Sequence, residues 1–262
     1  DEAVNRAEQR LFLIQSLLKE EEDYGNIAVP TDSDGQRRLL RSLMNVRPPR
    51  PISEEFLSVQ DEYLRAVIRE RGVTELDELE PVRRGIYLRQ GDITALRCDA
   101  IVNAANSAML GCFCPCHGCV DNAIHSYAGI RLRLACVELM EAQGHPEPTG
   151  RAKLTPAFNL PCRYVLHTVG PIVSERVTAR DCELLADCYR SCLALAAENG
   201  LESVAFCCIS TGEFHFPAER AARIAIDTVD RFLDRESSVK RVIFNVFTDA
   251  DREIYARLLG AD

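Results

Sequence analysis

Asp99-Ala100-Ile101-Val102-Asn103-Ala104-Ala105-Asn106-Ser107 is the stretch on which the fold turns. Its apolar start, Ala100–Asn103, has strand character. The two Asn residues, three apart, put amide side chains at the carboxyl edge of a sheet, where open α/β folds bind ligands. An Asn at a strand end also closes turns, so the pattern alone leaves both roles open. Outward from this segment, short apolar runs alternate with helical periodicity. Strands are expected at Ile86–Arg89, Lys153–Pro156, Tyr164–Thr168, Val204–Ile209 and Val242–Val246, and helices at Asn122–Gln143, Thr178–Glu198, Pro217–Arg235 and Asp249–Leu259. That alternation predicts an α/β domain with helices covering a sheet.

Upstream of Gly85 the texture differs. Leu11, Leu13, Ile14, Leu17 and Leu18 form a helical stripe, Gln36 to Met44 follows a polar turn, and Ser53 with Glu54 and Glu55 behind it starts another helix. The expected division is a helical extension over residues 1–80, with nothing catalytic in it, and an α/β domain over 81–262.

With 31 Lys+Arg against 40 Asp+Glu, the formal charge is −9 over 262 residues, and the basic residues are scattered among acids. This argues against nucleic acid as a partner, because duplex binders work through clustered Lys/Arg–phosphate contacts. No run approaches the roughly 18 apolar residues of a membrane span. No apolar leader pattern opens the sequence, and the expected location is the cytoplasm. The 12 Cys fit a reduced protein: Cys207 and Cys208 fall in an expected strand, Cys188 and Cys192 share a helix face, and four crowd between Cys112 and Cys119.

That last cluster, Gly111-Cys112-Phe113-Cys114-Pro115-Cys116-His117-Gly118-Cys119, carries four thiols and an imidazole on a Gly/Pro-punctuated loop. Zinc takes such ligands in a tetrahedron, so a bound Zn²⁺ is expected. Four protein ligands would make a closed, structural site. Three would leave a position for substrate or water. Further on, Ser210-Thr211-Gly212-Glu213-Phe214-His215-Phe216-Pro217 joins an expected strand to a helix. Such a small-residue turn presents backbone N–H groups and can cradle phosphate without a basic side chain.

Gly-Asp-Ile-Thr at 91–94, Val-Asn-Ala-Ala-Asn at 102–106, Asp-Asn-Ala-Ile-His at 121–125 and Ser-Thr-Gly at 210–212, in this order, resemble the macrodomain family. The metal loop is similar to that of its zinc-containing branch, microbial mono-ADP-ribosyl hydrolases often encoded beside a sirtuin-type ADP-ribosyltransferase. The resemblance spans essentially the whole chain. It implies a three-layer α/β/α fold with a mixed central sheet behind an N-terminal helical extension. It also implies a monomer acting on an ADP-ribosylated protein, with the sirtuin-type transferase and its target as partners.

By the branch's Gly-Cys-Phe-x-Pro-x-His-x-Cys pattern the metal ligands are Cys112, His117 and Cys119, with Cys114 and Cys116 at variable positions. The resemblance further implies that Asp92 and the Ile93 backbone hold adenine, that Asn106 lies near the distal ribose, and that Asn103 helps hold the loop or the ligand. Ser210, Thr211, Gly212, Glu213 and Phe214 are expected to hold the diphosphate, with Phe216 near ribose or base. Asn106 and Asp121 are the expected catalytic residues, Asp121 orienting or deprotonating water; an Asp at a helix start can equally be an N-cap. A non-catalytic ADP-ribose reader with a structural zinc, and a deacetylase of O-acetyl-ADP-ribose, are the competing functions.

Overall fold

The computed structural model describes residues 2–261. Three helices open the chain: α1 (Glu2–Leu18), α2 (Ser33–Val46) and α3 (Glu54–Arg71). Asp32 caps α2 by accepting from the Gly35 N–H, and Ser53 caps α3 by accepting from the Phe56 N–H. Their inner faces form one hydrophobic cluster that includes Leu13, Ile14, Leu17, Leu40, Phe56 and Leu64. A two-residue strand, β1 (Thr74–Glu75), then runs parallel to β3 (Leu96–Arg97), beyond the first strand of the main sheet, β2 (Ile86–Gln90).

The remaining elements are β4 (Ala100–Ala105), α4 (Val120–Ala128), α5 (Arg131–Gln143), β5 (Ala152–Pro156), β6 (Tyr164–Val169), α6 (Ala179–Glu198), β7 (Ser203–Phe206), α7 (Ala218–Leu233), β8 (Arg241–Val246) and α8 (Asp249–Leu259). Six strands make one sheet in the order β2-β8-β7-β4-β6-β5, with β5 alone antiparallel. α6, α7 and α8 pack side by side along one face, and α4 and α5 lie against β4 and β5 on the other, giving a three-layer α/β/α fold behind the helical extension. Burial on both faces explains the continuous apolar runs of β4, β6, β7 and β8.

Two sequence expectations need correction. The helix expected over Asn122–Gln143 is two helices, broken at Gly129-Ile130. Gly129 has φ 99°, and a Cβ there would lie 2.8 Å from Gln60 Nε2 of α3, while the Ile130 N–H donates to Gln60 Oε1 at 3.0 Å. The break inserts Ile130 into the cluster of the extension, a burial worth about 1.5–3 kcal/mol. The strand expected over Val204–Ile209 stops at Phe206, because the chain leaves the sheet for a turn with Ser210 at φ 66°, closed by the Phe216 N–H donating to Ser210 O at 2.8 Å.

The sheet also parts where it matters. β4 and β7 pair only at Ala100↔Val204 and Ile101↔Ala205, and beyond these residues the two strands diverge. From β4 the chain goes first to β5 and β6 on one side, then crosses to β7 and β8 on the other. A crevice at the carboxyl ends of strands, where the connections reverse direction, is where open α/β sheets take ligands.

Candidate active site

The strand order sets the layout of that edge. Read across the sheet, β2 leads into Gly91 and Asp92, β8 into Phe247, β7 into the 207–216 turn, β4 into Asn106 and the cysteine loop, and β6 into Gly170.

At the β2 end, Asp92 caps a short 3₁₀ turn, its Oδ1 accepting from the Thr94 N–H and hydroxyl and its Oδ2 pairing with Arg71 at the end of α3. Burial pushes its carboxyl up, but the bonds from Thr94 and Arg71 outweigh this and hold it below the usual range. Ile93 beside it is buried. Phe247, 76% exposed, is the most exposed large apolar residue at this edge, and Gly91 is tied to its neighbours by the Gly91 N–H to Val246 O and by Asn245 Nδ2 to Gly91 O. Sequence reading passed over Phe247; a lone aromatic just past an apolar strand was the available signal.

The 210–216 turn is backed by Gly170, where a Cβ would lie 2.0 Å from Ser210 Oγ. Ser210 Oγ is buried without a partner among the described residues, and the Thr211 hydroxyl donates to Cys208 O. His215 N–H closes onto Gly212 O, whereas the N–H groups of Thr211, Gly212, Glu213 and Phe214 make no backbone hydrogen bond among the described residues. These free donors precede the start of α7, a combination suited to an anion. Phe216 is 2% exposed and belongs to the main core, so its ring supports the turn from beneath and is closed off from the crevice.

At the β4 end, Asn103 is fully buried; its Nδ2 donates to Asp121 Oδ1 at 2.8 Å and to His167 Nδ1 at 3.2 Å, and its Oδ1 has no partner among the described residues. His167 Nε2 is 2.9 Å from Thr155 Oγ1, so with Nδ1 accepting, the ring is neutral with its proton on Nε2; burial lowers its pKa to about 4. Asn106 is exposed, with Oδ1 accepting from Ala108 and Met109 N–H in a side-chain-closed turn.

Asp121 is buried on the first turn of α4, with His125 Nε2 at 3.6 Å, and burial pushes its carboxyl up to about 6 against the pull of Asn103 and Arg133. The N-cap of α4 is Cys119, whose Sγ accepts from the Asn122 N–H, so Asp121 does not cap the helix.

Cys112, His117 and Cys119 form a group that could hold a metal ion, their ligand atoms all within 4.8 Å of one another. His117 Nε2 lies 2.8 Å from Glu213 Oε1, and its Nδ1 is buried with no partner among the described residues, a lone pair suited to a cation. The surplus thiols are elsewhere: Cys114 is exposed, and Cys116 Sγ contacts Ser42 Oγ at 3.3 Å and Arg38 O at 3.4 Å on α2.

The extension, expected to lie apart from the chemistry, reaches this loop. Arg41 donates to Asn122 Oδ1, and Asn45 accepts from the Cys116 N–H. From α5, the buried Arg133 donates to Leu110 O at 2.6 Å, Asn45 O at 2.8 Å, Arg47 O at 2.7 Å and Cys112 O at 3.3 Å, and its guanidinium carbon stands 3.7 Å over the Phe113 ring. One cation thus ties the cysteine loop to the end of α2, and burial lowers its pKa. No local pattern marks these residues, because each contact joins segments far apart in sequence.

A reversed-connection crevice with an anion-suited turn on one side and a Cys₂His group on the other defines an α/β nucleotide-type binding domain with a loop that could hold a metal ion. Residues 102–225 match the Macro domain family. The chain is 56% identical over 98% of its length to the full length of a protein-ADP-ribose hydrolase of Treponema medium, and 46% identical over 96% of its length to 95% of a protein-ADP-ribose hydrolase of Staphylococcus aureus. A solved Trypanosoma brucei macrodomain in complex with ADP-ribose superposes with a TM-score of 0.64 at 35% identity, covering 84% of this chain and 95% of that one. The chain belongs to the macrodomain family.

Proposed function

We propose that the protein is a zinc-dependent hydrolase that removes mono-ADP-ribose from modified protein side chains. The observation that carries this reading is the Cys112–His117–Cys119 group beside the buried Asn103–Asp121 pair at the crevice. The hydrolase names of relatives aligned over nearly the whole chain support the activity. Two sulfurs and an imidazole nitrogen are the donor set zinc prefers, and three protein donors leave a position open. The chemistry such an ion supplies is Lewis-acid polarisation of an oxygen ligand.

The chain's own residues do the rest. Asp92 receives the adenine amino group beside the Ile93 backbone, with the exposed Phe247 ring as a stacking face. The N–H groups of Thr211 to Phe214 hold the diphosphate, which frees the acidic chain from needing a basic patch. Asn106, its Oδ1 held by the Ala108 and Met109 N–H groups, orients the distal ribose through its exposed Nδ2. Asp121, held by Asn103, orients water and takes its proton as the water oxygen bonds to the anomeric carbon; the bond from that carbon to the protein oxygen breaks, and its electron pair leaves on the protein oxygen. The exposed thiols of the loop suit a reducing compartment, the cytoplasm. A genomically adjacent sirtuin-type transferase would supply the modified protein.

The test is release of free ADP-ribose from a mono-ADP-ribosylated protein, with and without a zinc chelator, in the native sequence and in Cys119→Ala. Loss of turnover in both is expected. Turnover that survives both rejects the zinc-dependent reading, and ADP-ribose binding without turnover on any linkage makes the protein a reader.

A further inference from the structure

We propose that Asn45 of the helical extension is a positioning residue of the metal-ligating loop, so that the extension is part of the metal centre. This rests on the reading of Cys112, His117 and Cys119 as a zinc site. Asn45, 2% exposed, is next to last in α2. Its Oδ1 accepts from the Cys116 N–H at 2.9 Å and from Asn122 Nδ2 at 3.1 Å, and its Nδ2 donates to Ser126 Oγ at 3.0 Å. Asn122 continues the grip: its Nδ2 also donates to Cys114 O at 2.9 Å, and its backbone N–H donates to Cys119 Sγ. Arg41 donates twice to Asn122 Oδ1, which fixes which way that amide faces.

Asn45 and Asn122 together therefore hold the loop at 114 and 116, between the first two ligands, and at 119, the third ligand itself. Cys116, next to His117, stands at φ 52°, a left-handed conformation that a residue with a Cβ keeps only when its surroundings impose it. Asn45 grips the N–H of that residue. Released, the peptide keeps the thiol contacts to α2 and the turn bond from the His117 N–H to Cys114 O but loses the direct tie on its own N–H, and the approach of His117 to the two sulfurs is less firmly fixed. A loop ordered in advance spares the ion the ordering cost at binding, which is how outer residues of metal sites raise affinity.

The experiment is a zinc titration of the full chain against a chromophoric chelator, without nucleotide, paired with thermal unfolding of the zinc-free protein. Asn45→Leu is expected to weaken zinc binding about 10–100-fold, the usual cost of losing an outer partner. Ser53→Ala removes the N-cap of α3, in the same extension, and touches neither the loop nor Asn122; it is expected to lower the unfolding temperature and leave zinc affinity unchanged. Equal zinc affinity in Asn45→Leu and the native sequence overturns the proposal, as does an equal loss in Ser53→Ala, which would mark a general destabilisation. Should Asn45→Leu not fold, Asn45→Ser, too short to reach the Cys116 N–H, is read in the same way and against the same outcomes. A native chain that binds no zinc overturns the metal reading itself, a result distinct from either.

Discussion

Replacing Arg133 by Met would remove the guanidinium while keeping a long apolar stem in α5. Three of its acceptors, the carbonyls of Leu110, Asn45 and Arg47, receive bonds of 2.6 to 2.8 Å. A buried acceptor left unpaired costs about 1–3 kcal/mol, so three cost roughly 3–9 kcal/mol. Relief of the buried cation's own desolvation, and water admitted to the gap, offset part of this and leave a net loss of about 3–5 kcal/mol. For a chain of this size each kcal/mol is worth about 2–4 °C, which puts the fall in melting temperature at roughly 6–20 °C. The assay is urea denaturation at pH 7 with circular dichroism, comparing midpoints at equal slope. Arg133→Lys should recover only part of the loss, because an ammonium keeps the charge without the planar fork that reaches several carbonyls. A loss below about 1 kcal/mol in Arg133→Met would refute the reasoning, since a single ordinary hydrogen bond is worth that much.

Phe247→Ala should weaken ADP-ribose binding by about 1–3 kcal/mol, the worth of one base–aromatic stack, with little change in unfolding temperature; isothermal calorimetry reads the first and thermal unfolding the second. Gly170→Ala places a methyl 2.0 Å from Ser210 Oγ and 2.8 Å from Ile209 Cγ2, so it should displace the 210–216 turn and weaken ADP and ADP-ribose alike in the same calorimeter. His167, with its pKa lowered to about 4, takes up its proton later in the folded protein than in the unfolded chain. Its contribution to stability is therefore intact above about pH 6.5 and lost as pH falls toward 4, and His167→Gln should unfold with a shallower pH dependence over that window in urea.

The sheet was readable because its strands are buried on both faces and carry unbroken apolar runs; Ala100–Ala105 and Tyr164–Val169 announce themselves. A metal-binding cluster was readable because its five candidate donors come from one short segment; the family resemblance singled out Cys112, His117 and Cys119, and these are the three whose donor atoms lie within 4.8 Å of one another. Gly129 was visible as a glycine, but not as a break, because what ends the helix there is Gln60 packed from α3. Arg41, Asn45 and Arg133 escaped for the same reason. A polar side chain on an amphipathic helix looks solvated until the packing of another segment buries it, and nothing within one turn of Asn45 signals the peptide at Cys116.

The bond from Asn45 ends on a main-chain N–H, which every residue but proline carries. Over evolutionary time the side chain at 116 can drift among residues that tolerate a left-handed backbone, glycine and asparagine first, without loosening the strap, whereas a change at 45 cannot be answered by any exchange at 116. Lineages should therefore show variation within that set on the loop side of this contact and strict retention on the helix side, with no correlated pair to betray that the two touch.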